Sequence, residues 1–183
     1  VGADLSYPLY RRWRDATVVL EPLVQVAVSP NAKQIVIGHD PTTGAPVYLN
    51  EDSIAFEFDE TNIFHANKFP GYDLYEDGAR VNVAGRAEVL WDDGRRANIL
   101  IGRSFRDRKN TVFTPDSGLQ QTASDWVVEA DAQPIRGLSF FARTLLDSDS
   151  LAIRRAEAGV NVANKWGSGF VRYLRQDAEI AGQ

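Results

Sequence analysis

Apolar side chains return at every second position through most of this chain, the period of β-strands with one apolar face and not the 3.6 period of helices. From Thr17 to Val28, Val18, Leu20, Val24, Val26 and Val28 share one face, and Thr17, Glu21 and Gln25 the other. From Arg80 to Trp91, Val81, Val83, Ala87, Val89 and Trp91 oppose Arg80, Asn82, Arg86 and Glu88. From Ala97 to Arg106, Ala97, Ile99, Ile101 and Phe105 oppose Asn98, Ser104 and Arg106. From Ser124 to Gln133, Trp126, Val128, Ala130 and Ala132 oppose Asp125, Glu129, Asp131 and Gln133. Leu138, Phe140, Ala142 and Leu146 then oppose Ser139, Arg143 and Asp147, and Ala156, Ala158, Val160, Val162 and Trp166 oppose Arg155, Glu157 and Asn161. An opening strand over Leu5 to Trp13 and a rougher closing one over Ser168 to Ile180 bring the number to about eight. In the closing strand Phe170, Leu174, Ala178 and Ile180 are read against Arg175, Asp177 and Glu179, with Arg172 breaking the apolar side.

The second face is what limits the fold. Glu21, Arg80, Arg86, Glu88, Arg106, Asp125, Glu129, Asp131, Arg143, Arg155, Glu157, Arg175, Asp177 and Glu179 are all assigned to it. A small closed barrel cannot bury so many charges as a dry core without large desolvation costs. The face therefore suits a water-filled lumen or the solvent side of a soluble sheet.

Four tryptophans favour the lumen. Trp13, Trp91, Trp126 and Trp166 lie on the apolar side near strand ends, as in the aromatic girdle at a membrane interface. Trp13, Trp91 and Trp166 adjoin short turns, whereas Trp126 follows a long connection. Short turns are expected near Arg12–Asp15, Asp92–Arg95, Pro134–Gly137 and Lys165–Ser168; Asp93-Gly94 is a hairpin signal, because glycine accepts the positive φ of a tight turn. Longer connections, 30–75 and 108–123, leave the other end, with a short one near Asp147–Ser150. Short turns at one end and long loops at the other are the layout of an outer-membrane barrel. Pro8 and Pro22 fall inside strand patterns, where a missing N–H marks an edge, a bulge or a weakened pairing.

At 183 residues, 1–183 reads as part of one domain. No apolar run approaches the roughly 18 residues of a membrane-spanning helix, a test that half-apolar barrel strands escape. A net charge of -5 without a basic stripe argues against nucleic acid as a partner. Cysteine is absent, so neither a disulfide framework nor a thiolate metal site is available. The chain opens Val-Gly-Ala and contains no methionine, which reads as an excerpt of a longer polypeptide.

Nothing in the pattern argues for catalysis, a metal or another cofactor. His39 and His65, the only histidines, lack metal-ligand spacing and read as surface residues. Ser104, Ser124 and Ser168 have no nucleophile-elbow context. Asp125, Glu129 and Asp131 could form an acid–base pair but are more simply lumen lining. In the 30–75 connection, Asp40, Glu51, Asp52, Glu57, Asp59, Glu60 and Asp73 could bind divalent cations, though a solvated acidic loop is the simpler reading. Its aromatics Phe56, Phe58, Phe64, Phe69, Tyr72 and Tyr75 argue against disorder, and Asp59 or Thr61 could cap a short helix over Asn62 to Asn67.

Several blocks resemble a known family. Asn50-Glu51-Asp52-Ser53, Phe56 through Phe64, Asn67-Lys68-Phe69-Pro70-Gly71-Tyr72-Asp73 and Glu76 through Asn82 are similar to the lipopolysaccharide-assembly barrel family LptD of Gram-negative outer membranes. Tyr7-Pro8, Leu20-Glu21-Pro22, Ser29-Pro30, Gly102 through Arg106, Ser117-Gly118-Leu119 and Ser124-Asp125-Trp126 extend the likeness over most of the chain. The resemblance implies an all-β fold: an antiparallel meander of about eight strands that is a central slice of a transmembrane β-barrel. It also implies lipopolysaccharide and outer-membrane lipid as partners, an LptE-like plug lipoprotein in the barrel, and delivery of lipopolysaccharide to the outer leaflet. The family's jellyroll domain and disulfide cysteines have no counterpart in these residues, and no gate residue is carried over. The competing reading is a soluble, lipocalin-like eight-stranded barrel that turns its apolar face inward around a small apolar ligand.

Overall fold

The computed structural model describes residues 1–30, 36–42, 44, 46–48, 58–69, 74–110, 112, 113 and 117–176. Its main sheet is antiparallel throughout and is an open slice, not a closed barrel. The strands are β1 (Gly2–Ser6), β2 (Leu9–Trp13), β3 (Ala16–Ser29), β6 (Gly78–Trp91), β7 (Arg96–Arg106), β8 (Trp126–Ile135), β9 (Leu138–Leu146), β10 (Ile153–Asn164) and β11 (Gly167–Gln176). From β3 onward each pairs with the next in this order. Both β1 and β2 pair with β3, so they are two halves of one edge strand. The break falls at Tyr7-Pro8, opposite Glu21-Pro22, where neither proline can donate a ladder hydrogen bond.

The longest connection also holds a small hairpin that the alternation did not reveal, β4 (Val36–His39) with β5 (Pro46–Tyr48). These strands are too short to show a period. The helix expected over Asn62 to Asn67 is not formed. Asp59 instead closes a single turn: its carboxylate accepts from the Thr61 amide and hydroxyl, and its carbonyl accepts from the Ile63 amide.

The register fixes the faces, because antiparallel partners point the same way. Val18, Val89 and Ala97 form one row of the apolar face; Ala87, Ile99, Ala130 and Ala142 form another. One assignment is corrected. In β11, Phe170 pairs with Asn161, Arg172 with Gly159 and Leu174 with Glu157, so all three stand on the charged face, and Arg175 pairs with Ala156 on the apolar face. The irregular sequence of β11 allowed either register of faces, and its pairing with β10 decides it. Asp177, Glu179 and Ile180 lie outside the described residues, as do Phe56 and Pro70 through Asp73 of the long connection.

The turns at Arg14–Asp15, Asp92–Gly94, Arg136–Gly137 and Lys165–Trp166 share one end of the sheet. Gly94 and Gly137 have φ of 88° and 83°, the left-handed region these tight turns require. The two long connections leave the opposite end, as expected.

Candidate lumenal face and membrane face

Burial is inverted relative to a soluble sheet. The apolar alternating residues remain accessible: Ile101 is 43% exposed, Val162 45% and Phe140 41%. On the charged face Arg80 is 3% exposed and Asn82 fully buried. The cover comes from the two long connections, which fold back over the loop-end half of that face. Phe58, Ile63, Phe69 and Leu74 from one, with Phe113 and Leu119 from the other, close a small core on Val127 of β8 and Leu145 of β9. Phe69 and Phe113 stack with centroids 4.4 Å apart. Gly102 makes room for this layer. A Cβ there would lie 2.7 Å from the Ile63 Cδ1, so the loop side chain sits on bare backbone.

Charge fixes the same layer. The ladder sets Arg80 directly opposite Arg106, a like-charge pair that would weaken a sheet. The Glu76 carboxylate stands between them, its Oε1 2.6 Å from Arg106 Nη2 and its Oε2 3.5 Å from Arg80 Nε. The Lys68 ammonium is 3.5 Å from the same Oε2, and the Lys68, Glu76, Arg80 and Arg106 side chains are all nearly or wholly buried. Burial pushes the Lys68 pKa down to about 8, against the opposing pull of Glu76. Arg80 also donates to the carbonyls of Glu76 and Ala66, and Arg106 to that of Leu119, so the two arginines hold both connections. A buried amide relay continues the network, Asn82 donating to Gln25 at 2.7 Å and Gln25 to the Phe64 carbonyl and Asp4 carboxylate at 2.7 Å each.

Of the acidic residues in that connection, Glu51, Asp52, Glu57 and Asp73 lie outside the described residues, and Glu60 is not simply solvated. Glu60 reaches Arg143 of β9 at 2.6 Å with its side chain 7% exposed, and burial raises its pKa. Among the described residues no three His, Cys, Asp or Glu side chains gather as a metal site would need. His39 and His65 are exposed. Ser104 and Ser124 are buried structural hydroxyl residues; Ser124 Oγ accepts from the Ser104 amide at 2.8 Å. Glu76 and Lys68 were missed as site residues because no local pattern marks a loop residue whose partners lie on other strands.

At the turn end the charged face is open. A trough of about 700 Å³ is lined there by Arg86, Glu88, Arg96, Glu129, Asp131 and Arg143, among others. Glu129 faces Arg143 across the β8–β9 pair, and Glu21 binds Arg86 at 3.0 Å. Arg155 and Glu157 lie on the same face, Glu157 held by Arg172 at 3.2 Å. Asp125 departs from this group. It packs against Gly118, accepts from the Ser148 amide at 3.0 Å and pairs with Arg154 at 3.0 Å at the base of the loops.

On the apolar face the four tryptophans sort by end as their neighbours in sequence suggested. Trp13 and Trp91 flank Ala16, which is only 4% exposed despite facing outward. A cation lies over each indole: Arg14 over Trp13 at 5.7 Å, Arg95 over Trp91 at 5.2 Å, Lys165 over Trp166 at 4.8 Å and Arg103 over Trp126 at 4.7 Å.

The family model for LptD, the LPS transport system D, matches residues 1–183. The chain belongs to the LptD family. No curated protein matches it. Membership places the chain in the outer membrane of Gram-negative bacteria and in lipopolysaccharide transport, a transport and assembly role. The all-β, one-sidedly apolar sheet is the material from which such a barrel is made.

Proposed function

We propose that this LptD chain is one stretch of barrel wall, within one barrel domain, that helps insert lipopolysaccharide into the outer leaflet. Its apolar face meets lipid, with Trp13, Trp91, Trp126 and Trp166 at the two interfaces. Its charged face lines the lumen, where Glu21, Arg86, Glu88, Glu129, Asp131, Arg143, Arg155 and Glu157 stay solvated or meet a plug lipoprotein of LptE type. The inverted burial carries this reading, since accessible valines and isoleucines beside buried arginine and asparagine suit lipid outside and polar contents inside. It also weighs against the lipocalin-like alternative, which needs the apolar face inward.

In this reading the loops, with 58–69 and 74–77 packed under Val112, Phe113 and 117–119, close the outer half of the lumen. The open trough at the turn end is left for the plug. Double replacement of Glu88 and Glu129 by alanine in the full-length protein tests the reading. Expected are normal barrel abundance, weaker co-purification of the plug lipoprotein, and greater permeability to large antibiotics. Unchanged co-purification and permeability would remove this face from the transport path.

A further inference from the structure

Arg103 is a cation on the wrong face. It lies between Ile101 and Phe105 on β7, pairs with Val83 of β6, and so points outward with the apolar set. An arginine on the lipid side costs about 2–4 kcal/mol at the membrane midplane but only about 0–1 near an interface, so its depth matters. Trp126 lies beside it, next to the Gly102–Val127 pair, and Trp91 is hydrogen-bonded to Arg95 at the turn end. The step from Arg95 to Arg103 spans about 27 Å of strand, or about 20 Å of height at a tilt near 40°. If Trp91 marks one interface, Arg103 and Trp126 mark the other, on the long-loop side.

The guanidinium is held rigidly. Its Nε and Nη2 donate to the Ser124 carbonyl at 3.2 and 2.7 Å, and it lies over the rings of Phe105 at 5.2 Å and Trp126 at 4.7 Å. None of these contacts uses Nη1, and none supplies a counter-charge. The Asp125 carboxylate, in the same loop-base recess of about 500 Å³, is already engaged by Arg154 and the Ser148 amide. A fixed guanidinium at headgroup height, sharing its nearest carboxylate, Asp125, with Arg154 and keeping Nη1 unused among the described residues, is suited to a phosphate.

We infer that Arg103, with Trp126 and Phe105, binds the phosphate of a membrane lipid of the long-loop leaflet against the outside of the barrel wall. The inference rests on the apolar face meeting lipid, as proposed above. The bound lipid is a resident of the annulus, separate from the lumenal face.

The test uses the full-length protein in nonionic detergent and native mass spectrometry. Wild type, Arg103→Gln and Arg103→Lys are titrated with a phosphorylated lipid, with its dephosphorylated counterpart of the same acyl chains, and with inorganic phosphate as competitor. Wild type should prefer the phosphorylated lipid, R103Q should bind it about tenfold more weakly, and R103K should fall between them. Equal binding by wild type and R103Q would overturn the site, even if R103Q is less stable through loss of its Ser124 bonds. Should R103Q fail to assemble, R103K decides in the same way: weaker binding supports the site and equal binding overturns it. Displacement by millimolar inorganic phosphate would overturn the lipid assignment in favour of a simple anion site. A fluorophore on Phe105→Cys, quenched by brominated acyl chains, separates the two levels. Without quenching the lipid-facing reading falls; with quenching but equal binding, only the Arg103 site falls.

Discussion

Arg80 and Arg106 stand opposite each other across the β6–β7 ladder, with both side chains buried, and one carboxylate, Glu76, lies between them. With Lys68 the cluster carries three cations and one anion. Removing the anion leaves like charges desolvated at close range. Glu76→Gln should therefore loosen the docking of 58–69 and 74–77 by about 3–5 kcal/mol, the range for breaking a buried ion pair from one side. Limited proteolysis of the full-length protein in detergent would show this as cleavage within that connection while the strands stay protected.

The strands of the main sheet were legible in the sequence, because lipid on one side and polar contents on the other impose a strict alternation. β11 was legible as a strand but not in its face: Arg172 and Arg175 have opposite parity, and only pairing with Gly159 and Ala156 resolves them. The split at Pro8 was signalled by the missing N–H. The lumenal cluster was not legible, because Glu76 and Lys68 sit in a connection without periodicity and meet Arg106 only through tertiary contact. Nor was the loop core on Val127 and Leu145, since those two residues occupy positions read simply as the polar face.

Lys68 gives the loop a pH dependence of definite sign. Its pKa falls from 10.5 toward about 8 on burial. Between these values the released loop binds the proton and the docked loop does not, so docking tightens as pH rises from about 8 toward 10.5 and is weaker below that window. Protease resistance of the connection should increase over this range in wild type. Lys68→Met should flatten the increase, and, lacking a charge to desolvate, should cost far less than Glu76→Gln. A parallel rise in K68M would assign the effect to other groups.

Gly102 and Ile63 form a steric lock between sheet and loop. Gly102→Ala would place its Cβ 2.7 Å from Ile63 Cδ1 and 2.8 Å from Ala84 Cβ, so overpacking should loosen docking by about 1–3 kcal/mol. Ile63→Ala, leaving a hole in the loop core, should cost about 2–5 kcal/mol. Hydrogen exchange should show earlier opening of 58–69 in both variants. Combining them should recover part of the loss from G102A, because the smaller side chain removes the contact with Ile63 and leaves those with Ala84 and the Val83 carbonyl.

The most direct test of the wall itself is at Ala130, mid-strand on β8, on the apolar face and paired with Ile99 and Ala142. An arginine there near the membrane midplane should cost about 2–4 kcal/mol, because lipid solvates no charge. The neighbouring change Glu129→Gln, on the opposite face, should leave folding nearly unchanged. The measurement is the amount of heat-modifiable, folded full-length barrel in the outer membrane of cells carrying each variant. The account predicts strong depletion for Ala130→Arg and near-normal levels for Glu129→Gln. Normal assembly of Ala130→Arg would contradict the assignment of this face to lipid.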